Sequence, residues 1–492
     1  MITMTIADVL TVTGGQWHPG PQAATSMIDP TGIPITGEVR IDSRSCAAGD
    51  LFVALPGDRV DGHDFALPAH LAGAVAVLAS RPVPDVPCVV VADPMIALGR
   101  LATASLARLP ELVVVGITGS SGKTSTKDLI GELLTRWGPT VCPTGSYNND
   151  LGVPLTVLRA NEHTRYLVLE LGSRGVGHIA RLTKIAAPTI GLIVNIGTAH
   201  LGEFGSAEVI ALAKSELVAA LPSAENGGIA ILNADDPATA YLAGRTAAQV
   251  WTFGAAPDAD VRFDRVEMNA SGRPRFRLTA GAHQVEVAMP HLVGRHQTAN
   301  AAAASAVALA AVARERPPGK VDSAATLERL HDIGRGLAAA RPRSRWRMEL
   351  TERNDGVSVL NDAYNANPES MRAALDALIA LADGHRRTWA VLGAMGELGG
   401  TAPAEHEALG REVRQRGVDR LVAVGSDAAG IYAGAAGDPA EKERFIHVPD
   451  ISAALHVLGS QLQAGDVVLV KASRYVGLEQ LADALLAEGA QT

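Results

Sequence analysis

Gly116-Ile117-Thr118-Gly119-Ser120-Ser121-Gly122-Lys123-Thr124 is the stretch on which the reading of this chain turns. It follows the apolar run Leu112–Val115 and leads into a helix-forming stretch from Ser125. A strand, a glycine-rich turn and a helix start, in that order, make a cradle for phosphate. Glycines let the backbone fold so tightly that successive N–H groups aim at one anion, and the helix N terminus adds its partial positive charge. Gly119, Ser120, Ser121, Gly122, Lys123, Thr124 and Ser125 are therefore read as the ATP-binding set. Lys123 reaches the terminal phosphates and the Thr124 hydroxyl ligates magnesium. The early glycine, Gly116, sits one residue further back than the general G-x-x-x-x-G-K-[ST] pattern requires, which makes a generic P-loop NTPase a poorer match.

Outward from the loop, short β-branched runs alternate with Ala/Leu-rich stretches. CVVVAD, ELVVVGITG, YLVLELG, TIGLIVNIG and GIAILNADD form one series, and TWAVLGAMG, RLVAVGSD, FIHVPD and DVVLVKAS form a second. Continuous apolar strands separated by helices predict parallel sheets covered on both faces. The runs VWTFGA, VRFDRVEM, RFRLTA and HQVEVAMP alternate apolar with polar residues and predict inserted antiparallel strands between about 250 and 290. The expected fold is α/β in three domains: a mixed α/β module over 1–105, a central P-loop-type parallel-sheet domain over 106–339, and a Rossmann-like α/β domain over 340–492.

A chain of 492 residues is too long for one core, which agrees with three domains. Hydrophobic residues at 47% and charged residues at 19% suit a soluble globular enzyme rather than a disordered chain. The net charge of −9 argues against a generic nucleic-acid binder. The row Arg341, Arg343, Arg345 and Arg347 reads as a solvated linker in which one or two arginines meet ATP phosphates. Cys46, Cys88 and Cys142 lack CxxC spacing, so neither a disulfide framework nor a zinc site is expected. The opening MITMTIADVL has no basic n-region, and Ala299–Ala313 is too short to span a bilayer and reads as a buried helix. A cytoplasmic monomer with no membrane insertion is the expectation.

GITGSSGKT is similar to the ATP loop of the Mur ligases, the family that builds the peptide stem of peptidoglycan. The resemblance continues in order along nearly the whole chain: GSYNNDLGVPLT, LVLELG with Glu170, NIGTAHLGEFGS with His200, ALAKSEL with Lys214, ILNADDP and GRHQTAN. DAYNANPESM, VLGAMGELG and VKASRYVG follow. Each block is weak or moderate alone, but the collinear set is specific. DAYNANPESM and MGELG resemble the member that adds D-alanyl-D-alanine to a UDP-N-acetylmuramoyl-tripeptide. Asp42-Ser43-Arg44 with GDLFVALPGDRVDGHDF resembles the uridine-binding module shared with the diamino-acid-adding member. Gln297 and Ala472 depart from the family pattern, which has Asn and Gly there.

The resemblance implies an acyl-phosphate ligase with two magnesium ions held among Thr124, Glu170, His200 and a carbon-dioxide-modified (carbamylated) Lys214. Lys123, His200 and Lys214 are then the catalytic set. His296, Asn300, Arg347 and Asp362 meet the nucleotide. Ser43 and Arg44 meet the uridylyl group, and Asn148 and Asn149 lie near the muramyl substrate. Asn365 and Asn367 are implied in positioning ATP or the incoming dipeptide, and Lys471 and Arg474 in attracting the dipeptide carboxylate. Taken without the family, Glu170 reads equally as a salt-bridge carboxylate, Lys214 as a solvated surface lysine, His200 as a loop residue, Asn365 and Asn367 as turn formers, and Arg44 as half of a surface ion pair. A diamino-acid-adding Mur enzyme, a folylpolyglutamate synthase and a nucleotide switch without ligation remain as alternatives.

Overall fold

A computed structural model describes residues 1–20, 32–57, 60–197, 201–314, 323–436 and 443–488. It divides into two compact units. The first comprises Met1–Gly116, Trp137–Ser173 and Gly177–Ile190, and the second Ile117–Arg136, Arg174–Val176 and Gly191–Thr492. The strand Val113–Thr118, which feeds the phosphate loop, contributes residues to each.

In the first unit, a five-stranded sheet runs in the order Gln16–His18, Cys88–Val90, Ala76–Ala79, Leu51–Val53, Val39–Arg40. Gln16–His18 is antiparallel to its neighbour and the others are parallel, so the module is mixed, as expected. The helix Pro94–Leu106 starts where the Asp93 carboxylate accepts the Met95 and Ile96 N–H groups, with Pro94 supplying a pre-set first turn. The same unit places Tyr166–Glu170 between Val113–Thr118 and Thr140–Val141. Tyr166–Glu170 is buried throughout and ends on the carboxylate of Glu170.

In the second unit, strands follow in the order His283–Ala288, Pro274–Ala280, Val261–Met268, Gln249–Gly254, Ile229–Asn233, Ile190–Ile193. Of the four alternating runs, the last three pair antiparallel, but Gln249–Gly254 pairs parallel with both of its neighbours. The helix Thr239–Ala243 intervenes between Ile229–Asn233 and Gln249–Gly254, and such a crossover returns the chain in the same direction. Burial rises along this strand rather than alternating, so the apolar/polar spacing of VWTFGA carries no information on its direction.

The C-terminal sheet runs Glu349–Glu352, Ser358–Asn361, Val467–Lys471, Thr388–Leu392, Arg420–Val424, Phe445–Val448, parallel except for its first strand. Successive residues of one strand enter opposite cores. Val467 and Leu469 join Ala390, Leu392 and Leu421 on one face, while Val468 and Val470 join Trp389, Val391 and Val422 on the other. Two covered faces explain why these strands read as unbroken apolar runs. The expected helix at Ala299–Ala313 is Gln297–Arg314, whose buried residues are mostly alanine. Their small side chains let it pack closely on the helix Lys123–Thr135 that follows the phosphate loop. No described helix is long and apolar enough to cross a membrane.

Candidate functional site

The phosphate loop takes a shape that only glycine permits at two points. Gly119 has φ +157°, and an added methyl there would meet Val194 Cβ at 3.0 Å. Gly122 has φ +76°, and the same addition would meet Asn300 Oδ1 at 2.8 Å. The next segment after the strand Ile190–Ile193 holds the loop from the side. Asn195 Oδ1 accepts the N–H groups of Ser120 and Ser121, both at 3.0 Å, and its Nδ2 donates to Ser121 Oγ at 3.0 Å. Gly197 N–H donates to Ser120 Oγ at 2.9 Å. Thr126 N–H returns to Gly122 O, which begins the helix ladder, and no side chain caps that helix start. Its first-turn amides and the helix dipole therefore face the loop, an arrangement suited to an anion. Asn195 is a site residue that the sequence reading missed, although it lies in the run TIGLIVNIG already read as a strand.

Lys123 folds back over the loop, with Nζ donating to Gly119 O at 2.7 Å and to Ser120 O at 3.4 Å. Thr124 is buried. Lys214 lies on the helix Ala207–Ala219 and is only 2% exposed, so the surface-lysine alternative fails. Burial, with the Lys123 cation as the second cause, holds its amine down at about 7. A buried amine near neutrality is chemically different from an ordinary lysine, because much of it is uncharged and nucleophilic at physiological pH.

In the first unit, Glu170 is 1% exposed and its Oε1 accepts from Ser146 Oγ at 2.7 Å and from Asn148 Nδ2 at 2.9 Å. Both of these donors are neutral, and the two hydrogen bonds orient the carboxylate. Ser146 is a second residue the sequence reading missed, although it stands inside the quoted block GSYNNDLG. Asn149 holds the local turn, its Oδ1 accepting from Gly152 N–H at 2.8 Å and Leu151 N–H at 3.3 Å. Ser43 starts a short 3₁₀ turn capped by Asp42, and Arg44 forms an exposed ion pair with Asp42 at 2.7 Å. That pairing draws the Asp42 carboxyl down to about 2.

A second group gathers at the end of the C-terminal sheet. Lys471 is 1% exposed, and its Nζ donates to Asp362 Oδ2 at 2.5 Å and to Asn365 O at 2.9 Å. Asp362 also accepts Met348 N–H through Oδ1 at 3.0 Å. Burial lowers the His296 imidazole below its ordinary value, against the opposing pull of Asp362. Asn300 is buried, accepts Thr126 Oγ1–H at 3.2 Å and donates to Gln297 Oε1 at 3.1 Å, so it fastens the Ala-rich helix to the loop helix. The Arg347 guanidinium lies 4.1 Å from the Tyr364 ring centre, and Arg474 pairs with Glu479 and covers Trp346 at 4.3 Å. Asn365 is exposed, whereas Asn367 caps the helix Pro368–Ala382 through Ser370 N–H at 2.8 Å. Thus Lys471 and Asn367 take structural partners within the fold.

His200 lies outside the described residues. Among the described residues, no three His, Cys, Asp or Glu side chains gather in a metal-holding group.

Residues 117–308 match the Mur ligase middle domain, 346–474 the Mur ligase glutamate ligase domain, and 36–105 the Mur ligase family catalytic domain. A protein of Mycobacterium tuberculosis named UDP-N-acetylmuramoyl-tripeptide–D-alanyl-D-alanine ligase is 44% identical over 527 residues, covering 99% of this chain and 98% of that protein. An Escherichia coli protein of the same name is 34% identical, covering 99% of this chain and all of its own length. The crystal structure of MurF from Acinetobacter baumannii superposes with a TM-score of 0.82 at 32% identity, with 99% of each chain covered. MurF ligase from Thermotoga maritima, solved in complex with ADP, gives 0.76 at 28% identity and covers 93% of this chain and 99% of its own.

Proposed function

This chain belongs to the Mur ligase family, and on that premise we propose that it joins D-alanyl-D-alanine to UDP-N-acetylmuramoyl-tripeptide at the expense of ATP. The observation that carries the reading is the end-to-end likeness, over 99% of the chain, to relatives named for that reaction. The glycine-shaped loop with Lys123 over it supplies matching geometry.

A free carboxylate cannot expel oxide, so amide formation needs a better leaving group. The tripeptide carboxylate oxygen attacks the γ-phosphorus of ATP, the bond to the β-phosphate oxygen breaks, and ADP departs. The amine of D-alanyl-D-alanine then adds to the acyl carbon and loses a proton, and the tetrahedral intermediate expels phosphate. The chain's own part is chiefly positioning and neutralising charge. The first-turn N–H groups of the helix Lys123–Thr135 and Lys123 itself hold the phosphates, and Asn195 keeps the loop in shape. In our reading the exposed Arg44 and Ser43 take the uridylyl end, Asn148 and Asn149 the muramyl side, Asn300, His296, Arg347 and Asp362 the nucleotide side, and Asn365 and Arg474 the dipeptide.

Magnesium would be held by the Thr124 hydroxyl and the Glu170 carboxylate, which are hard oxygen donors of the kind that ion takes, with His200 and a carbamylated Lys214 toward a second ion. Bound there, it would neutralise phosphoryl charge. The neutral fraction of the buried Lys214 amine suits addition to carbon dioxide, which forms an N–C bond, releases one proton and leaves an anionic carbamate as oxygen ligand. Intact mass measured under native conditions, and rescue of Lys214→Ala by short carboxylates, test that modification. We place the three domains at 1–105, 106–339 and 340–492 and the chain in the cytoplasm as a monomer.

The assay is phosphate release from ATP with UDP-N-acetylmuramoyl-tripeptide. Turnover should depend on D-alanyl-D-alanine. Stimulation by diaminopimelate, lysine or glutamate instead would overturn the assignment.

A further inference from the structure

Two glycines from distant parts of the second unit meet backbone to backbone. A methyl group added at Gly202, in the short helix Leu201–Phe204, would lie 2.3 Å from the Gly399 nitrogen and 2.4 Å from the Leu398 carbonyl carbon. A methyl group added at Gly399 would lie 2.7 Å from Gly202 Cα. In either case the facing backbone must shift to admit the methyl group.

The 395–399 loop is fixed by the helix Ala402–Gln415 and by the segment that follows the strand Val467–Lys471. Met395 N–H donates to His406 Nε2 at 2.8 Å, Gly396 N–H donates to Ser473 Oγ at 2.7 Å, and Leu398 is 2% exposed. Glu397 is held at φ +62° and faces Arg174 at 3.7 Å. A non-glycine residue keeps such a backbone only where its surroundings determine it. On the other side, Phe204 is buried with Ile210 and Ala213, which adjoin Lys214 on its helix, and Ile196 packs on the same cluster. Ile196 follows Asn195, the residue that holds the Ser120 and Ser121 amides. Nearby, an added methyl at Gly197 would touch Glu369 Oε1 at 3.0 Å and Ser120 Cβ at 3.2 Å.

We propose that the Gly202–Gly399 contact positions the ligation step, carrying the placement of the C-terminal sheet through Phe204 and Ile196 to Lys214 and the phosphate loop. Gly202 and Gly399 are positioning residues in this scheme, because neither offers a side chain to any reactant. The inference rests on the ligase reading above, and wild-type turnover in the same assay tests that reading separately.

The experiment is Gly202→Ala. Alanine is a better helix former than glycine, so the short helix itself is not weakened, and the only burden is at the seam. Expected are a fall in kcat of about 10- to 100-fold, the scale of an ångström-sized misplacement, with affinity for a non-hydrolysable ATP analogue within about twofold of wild type and an unchanged melting midpoint. Gly399→Asn loads the same seam from the opposite side with a residue that tolerates left-handed backbone, and it decides the matter should Gly202→Ala fail to fold. Gly400→Ala, which meets nothing within 4 Å, is the control and should keep wild-type turnover. Wild-type kcat in the two seam variants, or equal losses of kcat, nucleotide affinity and melting midpoint, would overturn the proposal.

Discussion

Lys214 concentrates the consequences at the scale of single residues. Unmodified, its amine sits at about 7 in the folded chain, below the ordinary 10.5 for lysine, because of burial and then Lys123. Between those values the unfolded chain holds a proton that the folded chain has released. Stability from this group therefore rises as pH climbs from about 7 toward 10, and the penalty is full below that window. Lys214→Met should abolish ligation and flatten this pH dependence, measured as the difference between wild-type and variant urea unfolding at pH 7, 8 and 9. Asn195→Ala frees two loop amides from their shared acceptor. At about 1 kcal/mol per hydrogen bond, KM for ATP should rise by roughly tenfold or more, as steady-state kinetics would show. The loop itself was legible in the sequence because its chemistry is local, nine residues in a row. Asn195 and Ser146 were not, because the contacts that give them roles span 75 and 24 positions and depend on which strand ends lie side by side.

Elements show the same division. The second series of strands was legible because both faces are covered, and unbroken apolar runs follow from that. Gln249–Gly254 differs in direction from the expectation because its pairing follows from the helical crossover before it, which apolar/polar spacing does not report. Lys471 looked like a cation awaiting a substrate, and nothing in VKASRYVG discloses that Asp362, 109 positions earlier, already faces it. Asn367 shows how one residue serves an element: its side chain and that of Ser370 close a reciprocal cap at the start of Pro368–Ala382. Asn367→Ala should cost about 1 kcal/mol, readable as a lower urea midpoint with an unchanged slope. The same helix start carries Glu369 against Gly197, so a modest drop in kcat should accompany the loss of stability.

Across the whole molecule, ligand and fold are linked by mass action. Nucleotide that binds only the folded chain adds about 2.7 kcal/mol at a hundredfold excess over Kd. A magnesium–ATP analogue should therefore raise the melting midpoint in a thermal-shift experiment, and Lys123→Ala should remove most of that rise while leaving the unliganded midpoint in place. No upward shift in the wild-type chain would contradict the loop's assignment.

The alanine-lined helix Gln297–Arg314 has a bearing on heredity. A single base change turns an alanine codon into one for valine or threonine, adding atoms at Ala301 to Ala311 where a neighbouring helix and strands leave no slack. Overpacking of this kind costs about 1–3 kcal/mol, a sizeable share of the about 5–15 kcal/mol that keeps a typical protein folded. Conditional alleles should collect in this stretch, in strains that grow when cool and burst when warmed.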